Sequence, residues 1–314
     1  MERRVSIPKV VLDFLLVLGV GALLLCLKYL VTPFHRGFYC DDTSIRYPYK
    51  DSTVTTPVLL AFGVGIPIVC ILGVELANLM YESKGGSFWK EGGPVEYLVG
   101  SFRVHRYVWR CYKYIGHFIF GLLIAQLTKE VGKLSVGGLR PHFIDVCQPN
   151  WGRINCSRYV AQVPCVGGSA ADLIRVNEAR KSFPSGHASA AFYCSTYLVL
   201  YLQARVKYDL TASMLRPVFQ VGFKLLALFT ALSRISDYKH HWWDVLAGSL
   251  IGVLVGYVTA VYFCQMFRTG SSSTRFLMDE NAGKKKSDDF VTPNQSPHSN
   301  ENRPPNSIME TTLV

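Results

Sequence analysis

Long unbroken runs of apolar residues constrain this chain more than anything else in it. Six of them, at about 10–30, 57–80, 114–128, 187–204, 217–232 and 245–267, approach the roughly 20 residues a helix needs to cross the hydrocarbon of a bilayer. A backbone in hydrocarbon must satisfy its own hydrogen bonds, so runs of this length read as helices. Over 314 residues, 49% hydrophobic and 18% charged positions are also too apolar a balance for an ordinary soluble protein. The fold class implied is all-α: a polytopic membrane protein built as a bundle of six transmembrane helices.

The first run follows Arg3, Arg4 and Lys9. It is longer than the apolar part of a signal peptide and no small-residue cleavage pattern follows, so it reads as a retained anchor. The third and fifth runs are short, but each continues into amphipathic sequence, and their helices are expected to extend past the apolar part. Six spans leave both termini on one side. The segment 81–113 carries Lys84, Lys90, Arg103, Arg106, Arg110 and Lys113, and the loop after the fourth run carries Arg205, Lys207 and Arg216, which places these loops and both termini in the cytosol. The opposite loops are basic as well, through Lys133, Arg140, Arg180, Lys181 and Arg234, and those cations need another reason to be there.

A net charge of +11 would point a soluble chain toward nucleic acid. No basic groove interleaved with aromatics stands clear of the spans, so nucleic acid is not expected as a partner. Anionic headgroups of the bilayer and a phosphorylated substrate account for the charge more simply. Of nine cysteines, Cys40, Cys147, Cys156 and Cys165 fall in outer loops, an even number where disulfides persist, with their pairing left open. Cys26, Cys70, Cys194 and Cys264 fall in spans and Cys111 on the cytosolic side, and no pair has metal-site spacing.

Beyond Phe267 the composition turns to Ser, Asn, Pro, Lys and Asp. This divides the chain into a membrane domain, 1–268, and a disordered cytosolic tail, 269–314. Lys284, Lys285 and Lys286 read as solvating charges. The last residues, Thr312-Leu313-Val314, fit the PDZ-type domains that add a C-terminal strand to a sheet edge. A homo-oligomer is left open.

Three short stretches where runs meet the outer face concentrate cations and histidines. They are Lys133-Leu-Ser-Val-Gly-Gly-Leu-Arg140-Pro141, then Pro184-Ser185-Gly186-His187, then Ser233-Arg234 with His240 and Asp244 after it. Snorkelling explains scattered cations at helix ends, but not two histidines, a carboxylate and three cations on one side of a bundle. A phosphate monoester carries nearly two negative charges, and its transfer is catalysed almost wholly by positioning and charge stabilisation. Lys133, Arg140 and Arg234 can surround its oxygens, arginine with paired donors and lysine as a point charge. Ser185 and Gly186 open a helix, where free N–H groups favour an anion. His240 and Asp244 are four apart, so the carboxylate can hold one ring nitrogen and leave the other to attack phosphorus. His187 is then the general acid for the leaving alkoxide and the base for water. His142 and His241 receive no role. No metal and no cofactor is called for.

The pattern Lys-x6-Arg-Pro, Pro-Ser-Gly-His, Ser-Arg-x5-His-x3-Asp resembles the three-part signature of the type 2 phosphatidic acid phosphatase superfamily, with no position substituted. The superfamily also includes vanadium haloperoxidases, bacterial acid phosphatases and glucose-6-phosphatase. Arg36-Gly-Phe-Tyr-Cys40, Ile45-Arg-Tyr-Pro-Tyr-Lys50, Tyr201-Leu-Gln-Ala-Arg205 and Ser236-Asp-Tyr-Lys-His-His-Trp242 narrow the resemblance to the animal lipid phosphate phosphatases, over residues 5 to 267.

That resemblance implies a six-span protein with an extracellular or lumenal active-site cap. It would dephosphorylate phosphatidate, lysophosphatidate, sphingosine 1-phosphate and ceramide 1-phosphate without a metal. Lys133, Arg140 and Arg234 would bind phosphate, His187 would be the acid and His240 the nucleophile. The alternative carried beside it is a catalytically idle lipid-binding or cell-contact protein of the same fold, as some relatives are, although every signature residue is kept here. A transporter finds no broken helix or paired charge at mid-membrane depth to support it. Asn155-Cys156-Ser157 is a glycosylation sequon in an outer loop, and a plasma-membrane location is expected.

Overall fold

A computed structural model describes residues 3–83, 96–166, 169–206 and 214–267. The tail from 269, with Lys284, Lys285, Lys286 and the Thr312–Val314 ending, lies outside the described residues, as do Lys84, Lys90 and Lys207. The chain is mostly helical: α1 Ile7–Leu30, α2 Thr56–Ser83, α3 Arg106–Val136, α4 Phe143–Cys147, α5 Ala170–Ala179, α6 Gly186–Arg205, α7 Leu215–Ser236 and α8 Trp242–Val258, the last continued by a π-helical turn, Thr259–Phe263. The all-α expectation needs one addition. Three short strands, β1 Arg3–Val5, β2 Glu96–Val99 and β3 Phe102–His105, form a sheet in which β2 runs parallel to β1 and antiparallel to β3. Their Arg, Glu and His residues interrupt any simple apolar alternation, which is why they escaped the sequence reading.

Each of the six apolar runs lies on one of the long helices, and α3 and α7 extend past their runs as anticipated. Four stretches, α1, α2, α7 and Trp242–Phe263, are long and apolar enough to cross a membrane, which makes this a multi-pass membrane protein. The other two differ for a physical reason. Helix α3 carries Lys113, Lys129, Glu130 and Lys133, and α6 interleaves Ser, Thr and Tyr with its apolar residues.

Helix α6 can be polar because it is enclosed. Twelve of its residues are buried, and it packs against α2, α3, α7 and α8. Helix α1, by contrast, has no buried residue and exposes Leu12, Phe14, Leu15 and Leu18, the surface a lipid-facing helix presents. The tyrosines of α6 recur every four residues, on one face. Tyr193 Oη donates to the Phe118 carbonyl at 2.7 Å, Tyr197 Oη to the Tyr114 carbonyl at 2.7 Å, and Tyr201 Oη to Glu75 at 2.9 Å, tying α6 to α3 and α2.

On the opposite side, α8 approaches through glycines. A Cβ at Gly248 would lie 2.4 Å from the Ser185 carbonyl oxygen, and one at Gly252 2.3 Å from that of Ser189. Small residues four apart allow this backbone proximity. It fixes the start of α8 against the start of α6, where the signature residues lie.

Candidate active site

Helix α3 brings Lys133 into its last turn and then stops, because Gly137 adopts a left-handed conformation (φ 57°) with its N–H on the Lys133 carbonyl. The chain turns through Gly138 and Leu139 so that the Arg140 N–H reaches the Ala179 carbonyl at 2.8 Å and the Ser182 N–H the Gly138 carbonyl at 2.9 Å. The first signature stretch is thereby stitched to the approach of the second. Ser185 caps α6, and its N–H donates to the Asp244 carbonyl at 2.9 Å, joining the second stretch to the third. That N–H is therefore occupied, and the free donors of the α6 N-terminus are those of the following residues.

Helix α7 ends at Ser236, and the Arg234 carbonyl accepts from the N–H groups of Lys239 (3.0 Å) and His240 (3.2 Å), folding the chain back. The spacing reading set His240 and Asp244 together on a helix. In the structure α8 starts at Trp242 with His241 as its N-cap, so His240 belongs to the turn before it. Asp244, in the first turn of α8, accepts from the His241 N–H at 3.0 Å.

The three stretches meet. Arg234, His240 and Asp244 are 2%, 3% and 1% exposed, burial that charged groups tolerate only with compensation. Arg234 donates to the Val54 carbonyl and to Ser52 Oγ, both at 3.3 Å, and lies 3.7 Å from Asp237. Arg140 lies 3.6 Å from the half-exposed Glu178. Both guanidinium groups nevertheless retain a buried Nε with no hydrogen-bond partner among the described residues, and so does His187 at Nε2. His187 is also within electrostatic reach of Arg234, Lys133, Arg140 and Lys129. Burial, together with the charges of Arg140 and Lys133, pushes His240 down to about 3 against the pull of Asp244. The net shift favours the neutral ring, the form in which a nitrogen lone pair is free. Burial likewise lowers Arg140 and brings Lys239 to about 8. Cations packed this way keep unpaired nitrogens even beside Glu178 and Asp237, donors that an anion could use.

Known proteins resemble this chain over most of its length. The model of the PAP2 superfamily matches residues 114–268. A Drosophila melanogaster protein described as a putative phosphatidate phosphatase is 40% identical over 87% of this chain and 74% of its own length. Phospholipid phosphatase 1 of Rattus norvegicus is 39% identical over 87% of this chain and 91% of its own, and phospholipid phosphatase 2 of Homo sapiens 38% identical over 85% and 86%. The chain belongs to the phospholipid phosphatase family of the PAP2 superfamily. No solved structure matches it.

Several residues around this candidate site lie outside the spacing pattern. Ser182 donates to Asp244 Oδ2 at 2.5 Å. Asp237 accepts from Thr53 at both N–H and Oγ1, each at 2.8 Å, so the loop before α2 is pinned beside Arg234. Lys129, one turn before Lys133, lies against Gly186. The four-residue spacing of Lys129 and Lys133 was the available signal for the last, and the three-residue spacing of Arg234 and Asp237 for the second. His142, almost wholly covered, sits with Nδ1 2.7 Å from the Tyr238 carbonyl and supports the turn that carries His240. Four cysteines pair as Cys40–Cys156 and Cys147–Cys165, while Cys26, Cys70, Cys111, Cys194 and Cys264 are free. Asn155 is exposed.

Proposed function

We propose that this member of the family hydrolyses lipid phosphate monoesters through a phosphohistidine at His240, on phosphatidate, lysophosphatidate, sphingosine 1-phosphate and ceramide 1-phosphate. The coarser statement, that it is a lipid phosphatase, follows from its family. The observation that carries the finer one is the convergence of unpartnered buried nitrogens, Arg140 Nε, Arg234 Nε and His187 Nε2, beside a neutral His240. Nδ1 of His240 faces Ser182 and Asp244, leaving Nε2 for substrate.

Burial and the surrounding cations keep the His187 ring neutral, and the bound phosphate dianion, by offsetting those cations, lets it take up a proton. In the first step Nε2 of His240 attacks phosphorus while the P–O bond to the lipid breaks, and His187 gives that proton to the departing alkoxide. Water then attacks the phosphorus of the P–N bond, gives its proton to His187, and restores His240 with release of phosphate. Lys133, Arg140 and Arg234 hold the equatorial oxygens, joined at the N-terminus of α6 by the Ser185 hydroxyl and the Gly186 N–H, the Ser185 N–H being taken by the Asp244 carbonyl. These cations supply the charge that magnesium supplies in other phosphoryl transfers, so activity should need no metal.

The same reading takes all six long helices as spans, α3 and α6 being shielded by their neighbours, with the site and its disulfide-tied cap outside or in the lumen. Both termini are then cytosolic, the plasma membrane is the expected location, and Asn155 carries a glycan. A PDZ-type partner at Thr312–Val314 and a homo-oligomer remain part of the proposal. Phosphate release by purified protein from a panel of the four lipids, in excess chelator, tests it. Turnover of several lipids in chelator is expected. Activity lost in chelator and restored by magnesium, or release from water-soluble monoesters alone, would overturn it.

A further inference from the structure

Spacing assigns Asp244 to hold His240, but the carboxylate does not touch that ring closely. Asp244 Oδ2 is 3.8 Å from His240 Nδ1, outside hydrogen-bond range. The same oxygen takes Ser182 Oγ at 2.5 Å and the His241 N–H at 3.0 Å, and lies 3.3 Å from His241 Nδ1. Ser182 Oγ in turn is 3.5 Å from His240 Nδ1, nearer than the carboxylate. A hydroxyl has one proton and two lone pairs. The proton of Ser182 goes to Asp244, because an ionised carboxylate can only accept. What the hydroxyl then offers His240 is a lone pair, and the group that answers a lone pair is Nδ1–H. The hydrogen of the neutral ring is thus held on Nδ1 and the free electron pair on Nε2.

We propose that Ser182 is a positioning residue that relays the hold of Asp244 onto His240 and keeps the ring in its nucleophilic tautomer. The inference rests on the reading of His240 as the nucleophile. In the first step no proton has to move through the relay: Nδ1 keeps its hydrogen while Nε2 forms the P–N bond, and the positive charge that develops on the ring is met by Ser182 and, behind it, Asp244.

The surroundings fit this role. Ser182 is 1% exposed. Its N–H is fixed to the Gly138 carbonyl at 2.9 Å, and the Asp244 carbonyl is fixed by the Ser185 N–H at 2.9 Å, so both ends of the relay are tied to the signature turns. Ser182 and Asp244 also line a cavity of about 440 Å³, with Arg36, Asp42, Ser44 and His241 among its other walls. Lys133, Arg140, His187, Arg234 and His240 do not line it. The hydrogen-bonding neighbours of Ser182 are His240, Asp244 and the Gly138 carbonyl rather than the phosphate cations, so its loss should slow the chemistry rather than weaken substrate binding.

The test uses full-length protein in detergent with a lipid substrate, measuring kcat, KM and acid-labile phosphoenzyme for Ser182→Ala, Ser182→Cys, Ser182→Thr, Asp244→Asn and the Ser182→Ala/Asp244→Asn pair. Ala and Cys, the latter keeping volume with a weak hydrogen bond, should each lower kcat about 10- to 100-fold, the range seen when an orienting partner of a working histidine is removed, with KM little changed. Thr, which restores the hydroxyl, should recover most of the rate. The double variant should be no slower than Asp244→Asn alone, because both changes cut one relay. Protection of Ser182→Ala from heat by orthovanadate, as in wild type, shows that the anion site is folded. Wild-type kcat in Ala and Cys, a rise in KM alone, or multiplicative losses in the double variant would overturn the relay. Should His240→Ala still form phosphoenzyme, the nucleophile reading itself falls. If His240→Ala forms none while Ser182→Ala matches wild type, only the relay falls.

Discussion

The molecule holds two clusters of buried charge, and they are balanced in opposite ways. In the first, Glu75 of α2 is fully buried. It accepts from Arg205 Nε at 2.8 Å and Nη2 at 3.0 Å and from Tyr201 at 2.9 Å, with Arg110 at 3.8 Å. Beside it Glu82 takes Arg106 at 2.9 Å and Arg110 at 3.2 Å. Each arginine there has a carboxylate, and the cluster joins α2, α3 and α6. In the second, Arg140, Arg234, Lys133 and Lys129 crowd around His187 and His240. Lys129 meets Glu130 at 3.1 Å, but Glu178 and Asp237 stand off at 3.6 and 3.7 Å from the two arginines, and Arg140 Nε, Arg234 Nε and His187 Nε2 remain without hydrogen-bond partners among the described residues. The same residue types form a structural clamp where arginine forks bond directly to carboxylates, and the candidate anion site where the acids stand farther off and buried nitrogens are left over. Burial alone does not separate the two; the pairing does.

If that contrast is right, conservative changes in the open cluster should be costly to activity. Arg140→Lys and Arg234→Lys each keep the charge but replace a planar fork with a point donor. Each should lower kcat by on the order of a hundredfold, as loss of one positioned donor does, with the fold intact by thermal melting. Near wild-type turnover in both would mean these arginines merely line the interface.

The closed cluster should show the reverse. Glu75→Ala strands Arg205 and Arg110 among buried groups, and breaking a buried pair costs about 3–5 kcal/mol, so the apparent Tm should fall by on the order of 10 °C. KM of the surviving protein should be unchanged. A change in KM without a change in Tm would place Glu75 in the substrate path and dissolve the comparison.

The smallest effect concerns His142, which supports the open cluster from outside the membrane helices. Burial lowers it from 6.5 to about 4, helped by Arg140 and Lys239 and opposed by its Tyr238 hydrogen bond. Because the folded pKa is depressed, the unfolded chain takes up a proton first as pH falls. The stability contribution is complete above about 6.5 and is lost between there and about 4. In His142→Gln the drop in Tm between pH 7 and pH 5 should shrink by a few degrees. An unaltered pH dependence would show that His142 titrates as freely as an exposed histidine.

Much of the open cluster was legible in sequence because its residues sit at fixed spacings around three turns: Lys133 to Arg140, Ser185 to His187, Arg234 to Asp244. The long helices were legible because hydrocarbon imposes length. What stayed hidden depends on contacts between distant segments. Ser182 matters through Asp244, 62 residues away, and Thr53 meets Asp237 across 184. The clamp was hidden for the same reason, since Glu75 finds Arg205 across 130 residues. The sheet at 96–105 lacks the apolar periodicity that would have announced it.

The central claim is that His240 and His187 divide the chemistry, and one trapping experiment tests it most directly. Wild type, His240→Ala and His187→Ala are mixed with 32P-labelled nitrophenyl phosphate, whose leaving group needs little acid help, and quenched under denaturing alkali. The account predicts no label on His240→Ala, and on His187→Ala a slowly decaying adduct that accumulates above wild type because the base that activates water is missing. That adduct should be labile to acid and stable to base. Label retained by His240→Ala, or an acid-stable adduct on another residue, would contradict the account.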